Sequence, residues 1–144
     1  MSAVVNEHWT PARLFFAASS FWHVVLGTAG LVIDRTFPLS RSEAAGGHSE
    51  HIFGVFETNG WHSLAALLLG LVSVYFLARP ARARDAALAV GVAHLGLVAA
   101  LMIWQPTTFL IASNAADQVV HASTAVAGIL SGAFTSTTTE HAIG

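Results

Sequence analysis

Four stretches of this chain, residues 14–33, 60–78, 86–104 and 119–134, contain no Asp, Glu, Lys or Arg. A helix needs roughly 17–25 apolar residues to cross a hydrocarbon core, and inside lipid only helices and closed barrels satisfy their own backbone. The four stretches therefore predict an all-α transmembrane four-helix bundle, with residues 1–144 forming a single integral membrane domain. The fourth stretch is the shortest and the richest in Ala, Ser, Thr and Gly. Composition agrees. Charged residues make up 10% of the chain and the mean hydropathy is +0.63, whereas a globular domain carries about 25% charged residues. There is no cysteine, which excludes disulfides, thiolate metal sites and covalently attached haem. Six scattered arginines, no lysine and a net charge of −2 argue against a nucleic-acid partner.

The ends of the stretches carry start and stop signals. Thr10-Pro11 reads as an N-cap with proline at the first helical position. Asn59 is placed to cap the second span, Asp85 the third, and Ser113 or Asn114 the fourth. Arg79-Pro80 ends the second helix and Pro106 follows the third. The first stretch is too long for a signal-peptide core and lacks a basic leader, so it reads as a retained helix.

Orientation follows from the arginines. Arg13, Arg79, Arg82 and Arg84 fall on one side and Arg35 and Arg41 on the other, which favours cytoplasmic termini in a bacterial inner membrane. Trp61 and Trp104 then lie at the outer interface, where indole rings prefer to sit. The outer loop, residues 35–59, reads as a solvated polar loop; its His48-x-x-His51 pair lacks a fixed third metal ligand.

The chain also suggests an internal duplication into two αα-hairpins. Arg13 precedes His23 by the same ten positions that separate Arg84 from His94. The second and fourth spans share an asparagine (Asn59, Asn114), a histidine (His62, His121) and a later glycine (Gly70, Gly128). Each span thus holds one histidine, and ionisable residues inside a membrane face the bundle interior or a watered cavity. With a rise of ~1.5 Å per residue, His23 and His94 lie about 15 Å above their arginines, and His62 and His121 about 22–24 Å above the cytoplasmic end. That arrangement is two layers, not one ring. Small residues share their faces, including Gly27, Gly91 and the Gly128-x-x-x-Gly132 pair, as expected of close-packed membrane helices.

The segment FGVFETNGWHSLAALLLGL, with Asn59-x-x-His62 and Gly70, and the later Asn114…Asp117…His121…Gly128 stretch resemble a family of small four-span bacterial membrane proteins. That family is common in actinobacteria and is catalogued as a domain of unknown function. The resemblance runs from about Arg13 to Gly132 and implies four spans with inward Asn and His positions, without implying any chemistry.

Three functions compete. The first is a non-enzymatic membrane protein, structural or an accessory subunit of a larger complex or homo-oligomer, in which buried imidazoles bond neighbouring helices. Asn59, Asn114, Gly128 and Gly132 are then structural. The sequence offers no nucleophile–base–acid set, phosphate loop or intramembrane carboxylate. The second is a b-type haem or quinone-linked redox subunit, with His23 and His94 on one iron and Gly27 and Gly91 leaving room for the macrocycle. The third is a proton or metal-ion conduit, with His62 and His121 as metal ligands and Ser63, Ser123 and Thr124 linking the layers. The partner common to all three is the lipid bilayer. Because the chain has no native cysteine, Ser42→Cys should react with an impermeant thiol reagent in whole cells while Ala81→Cys stays protected. Labelling of Ala81→Cys from outside would reverse the orientation.

Overall fold

The structure is a computed structural model that describes residues 9–40, 42–43, 50–103 and 110–136. Arg41, His48, Trp104 and Pro106 lie outside the described residues. Four helices and one short β-hairpin make up the described chain: α1 (Pro11–Ile33), β1 (Glu50–Ile52), β2 (Phe56–Thr58), α2 (Gly60–Leu77), α3 (Pro80–Ile103) and α4 (Ala115–Phe134). The fold is an all-α bundle. α1, α2 and α3 are each long and apolar enough to cross a membrane; α4, which carries Asp117 and Gln118, is not among them.

The caps follow the sequence with one exception. Thr10 accepts from the Arg13 backbone N–H at 3.3 Å, Asn59 from that of His62 at 3.0 Å, and Asn114 forms a capping box with Asp117. Asp85 caps nothing. α3 begins earlier, with Pro80 in its first turn, where a missing N–H costs no helical bond. Asp85 therefore sits inside the helix, exposed and paired with Arg84 at 3.1 Å. The solvated loop also gains structure. β1 and β2 pair antiparallel, His51 opposite Glu57, across a tight turn in which Phe53 and Gly54 have φ of 55° and 70°. Within the hairpin, Ile52 and Thr58 are buried.

The bundle is built with its small residues inside. Phe21 and Met102 point outward at 72% and 76% exposure, whereas Ala12, Ser19, Ser73, Ala83, Ala87 and Ala125 are buried. Lipid is as apolar as leucine, so helices in it associate by close backbone approach rather than by burying large side chains. Each helix packs mainly on its hairpin mate, α1 on α2 and α3 on α4. A Cβ at Gly27 would stand 2.5 Å from the Leu67 backbone nitrogen, and one at Gly91 2.6 Å from that of Ile129. Gly128 meets the Ala87 carbonyl at 2.9 Å and Gly132 that of Arg84 at 2.9 Å, measured the same way.

The burial pattern repeats between the hairpins. Ala12 and Ala83, Phe16 and Ala87, Ser20 and Gly91, and His23 and His94 are buried pairs 71 residues apart on α1 and α3. Gly70 and Ala125, and Ser73 and Gly128, are buried pairs 55 residues apart on α2 and α4. Two reciprocal bonds tie the hairpins together with the same spacing. Asn59 Nδ2 donates to the Leu110 carbonyl and Asn114 Nδ2 to the Val55 carbonyl, each at 2.8 Å. In each case the acceptor lies four residues before the other hairpin's asparagine. This register corrects the sequence pairing of His62 with His121: the equivalent of His62 is Asp117, and that of His121 is Ala66.

The two ends of the bundle differ. At the terminal end the Ala12 N–H donates to Thr135 Oγ1 at 2.9 Å, beside a hydrophobic cluster of Phe15, Phe16, Ala83 and Ala87 backed by Phe76. At the opposite end the β-hairpin lies on α1, with Phe56 edge-on to Trp22 at 5.8 Å. Gly128→Leu should force α4 off α3 and lower the detergent melting temperature, at a cost of roughly 1–3 kcal/mol typical of overpacking. An unchanged melting curve would mean that this contact does not hold the hairpin.

Candidate functional site

The glycines draw each hairpin tight, and a space lies between the hairpins. It is a cavity of about 160 Å³ lined by all four helices, by Phe56 of β2, and by Ile111 and Ser113 ahead of α4. His23, His62, His94 and His121 all line it. Their rings stand in file, with centroids 6.2 Å apart from His23 to His94, 5.6 Å from His94 to His121 and 6.1 Å from His121 to His62. The two expected layers therefore touch, through His94 and His121.

Hydrogen bonds set the direction of three rings. His23 Nδ1 lies 2.8 Å from the Ser19 carbonyl, His94 Nδ1 2.9 Å from that of Val90, and His62 Nδ1 3.0 Å from that of Glu57. A carbonyl can only accept, so each Nδ1 carries the proton and, in the uncharged ring, each Nε2 carries a lone pair. None of these three bonds crosses directly to a neighbouring helix. A short relay from His23 reaches one. His23 Nδ1 also lies 3.1 Å from Ser19 Oγ, which bonds Ser73 Oγ at 3.0 Å, and Ser73 Oγ donates to the Leu69 carbonyl at 2.8 Å. The relay ends there; Phe16 and Phe76 pack against each other with rings 5.5 Å apart.

Several polar atoms in the site have no partner among the described residues. His23 is 4% exposed, and its Nε2 is buried without a hydrogen bond; His121 Nδ1 and Ser113 Oγ share that condition. Buried polar atoms are nearly always bonded, so three in one cavity need a reason.

At the rim, Asp117 was missed as a site residue by sequence reasoning. It lines the cavity, and its Oδ2 accepts from the backbone N–H groups of Asn114 at 2.9 Å and Glu57 at 3.2 Å. The available signal was its position four residues before His121, which puts both on one helix face. Glu57 is thereby gripped from both hairpins, its N–H by Asp117 and its carbonyl by His62.

The fit to a cofactor or metal can be read from the same atoms. The space beside Gly27 and Gly91, expected to admit a macrocycle, is filled by the Leu67 and Ile129 backbones. The cavity itself is below the ~300–1,000 Å³ of typical pockets for drug-sized ligands. Among the described residues no three His, Asp or Glu side chains are grouped to hold a metal ion. The polar residues expected to link the layers lie elsewhere. Ser63 bonds Thr58 at 2.7 Å, Ser123 bonds its own helix at the Val119 carbonyl, and neither they nor Thr124 lines the cavity.

Comparison with known proteins places the chain in a family. The family model described as a domain of unknown function, DUF4383, matches residues 13–134, so the chain belongs to that family. No curated protein and no solved structure matches it.

Nitrogen NMR of ¹⁵N-histidine-labelled protein in lipid nanodiscs should show Nδ1 as the protonated nitrogen of His23, His62 and His94. An Nε2–H tautomer at any two of them would take the lone pairs out of the cavity.

Proposed function

We propose that this DUF4383 member is a non-enzymatic, four-span protein of a bacterial cytoplasmic membrane, an accessory subunit that holds a small molecule between its two hairpins. The observation that carries this reading is the cavity in which four histidines converge without bonding across helices, with His23 Nε2 buried and unpartnered. Burying polar atoms unpaired is costly, and a cavity occupant would relieve that cost. With the termini in the cytoplasm, as the arginine distribution favours, the rim formed by Phe56 and Asp117 faces outward. The residues of the phenylalanine cluster are not among those lining the cavity, which supports holding over conduction. The glycine contacts likewise favour a ligand smaller than haem. The wide outward apolar surface supports lipid, further membrane subunits or a second copy as neighbours.

Native mass spectrometry tests the reading. Protein released from nanodiscs should carry a small-molecule adduct distinct from lipid. The adduct should be missing from Ala66→Phe, which fills the cavity from α2, while the far-UV circular dichroism stays unchanged. Identical masses for the two proteins would remove the holding role.

A further inference from the structure

Three features of the cavity narrow what it takes. Its volume, about 160 Å³, is close to the ~150 Å³ of an apolar protein cavity that admits benzene. Much of its wall is apolar, with Trp22, Leu69, Leu97 and Val120 among the lining residues. Its polar wall presents acceptors. The Nδ1–H groups of His23, His62 and His94 are committed to carbonyls, so their remaining nitrogens offer lone pairs. An occupant that satisfies this wall must bring its own hydrogens, and an occupant that satisfies the other wall must be a flat apolar body.

We propose that the cavity binds the head of a single-ring dihydroxy-aromatic, a hydroquinone-class molecule, with its hydroxyl groups donating to imidazole Nε2 atoms and its ring against the apolar wall. The imidazoles stand in file along the cavity wall, from His23 through His94 and His121 to His62, which suits a ring carrying a donor at each end. His23, 4% exposed, lines the cavity, and its Nε2 is buried without a hydrogen-bond partner among the described residues. A bare cation needs no apolar wall, and the imidazoles are not grouped to hold one. The proposal rests on the reading of this cavity as a ligand site and adds the class of ligand. It covers binding alone, with no electron transfer.

The test uses the full-length protein in nanodiscs, first freed of its adduct, and compares hydroquinone with 1,4-difluorobenzene, a ring of similar size without donors. Hydroquinone should bind at least tenfold tighter, because a site built around hydrogen bonds rejects the analogue that lacks them. The preference should collapse in His94→Phe while difluorobenzene binding persists; if that variant loses its helical circular dichroism, His62→Phe at the half-buried rim gives the same readout. A decyl-tailed benzoquinol binding tighter than free hydroquinone would assign the ligand to the lipid pool, and the reverse order to a water-soluble phenol; both orders support the proposal. Equal affinity for hydroquinone and difluorobenzene would overturn the ligand class while leaving the holding role intact. So would stoichiometric zinc binding that displaces hydroquinone. Failure of both rings to bind, together with identical native masses for wild type and Ala66→Phe, would sink both readings.

Discussion

The close approach of helix backbones within each hairpin is the constraint on which the rest of this molecule depends. In lipid there is no gain from burying leucine against leucine, so association falls to van der Waals contact between backbones. Gly27 against Leu67 and Gly91 against Ile129 supply that contact on α1–α2 and on α3–α4. No comparable glycine seam joins α2 to α3, and the contacts between the hairpins are correspondingly sparse. The cavity is what remains when two tight pairs are set side by side and held at their ends. The clasp at one end is the reciprocal Asn59–Leu110 and Asn114–Val55 pair, and at the other the Ala12–Thr135 bond and the phenylalanine cluster.

Pseudo-symmetry explains why the polar wall looks as it does. Two equivalent helices give an equivalent pair, His23 and His94, near the floor. The next pair is no longer equivalent in chemistry, because His62 on α2 faces its counterpart Asp117 on α4 at the rim. Each grips the Glu57 backbone with the group it has, a ring N–H on the carbonyl and a carboxylate on the N–H. One turn deeper, His121 stands where α2 has Ala66. The symmetric residues build the frame, and the departures from symmetry sit at the cavity.

Much of the frame was legible because it rests on local physics. Uncharged runs, proline at N1 and asparagine at N-caps act through their own helix, and those elements fall where the sequence puts them. Asp85 misled because a good capping residue lost to a proline five positions earlier, and the prediction weighed the cap alone. The β-hairpin was hidden since Phe53 takes the left-handed position that turn signals assign to Asn or Gly. The histidines were read as inward from their small neighbours, but helix periodicity says nothing about which ring nitrogen is already committed. That depends on the carbonyls of Ser19, Val90 and Glu57 in three dimensions.

The tautomers bring the frame and the cavity into one scheme. A histidine that spends its N–H on a carbonyl four residues back on its own helix, as His23 and His94 do, leaves the helix–helix seam untouched. Packing is then left to glycine, alanine and serine, and the imidazoles line the gap between the hairpins. Had the rings bonded across helices, they would have drawn the hairpins together and closed the space they now line. Keeping the His23 and His94 ring bonds within their own helices and the close glycine contacts within hairpins leaves a cavity in the interior of the bundle.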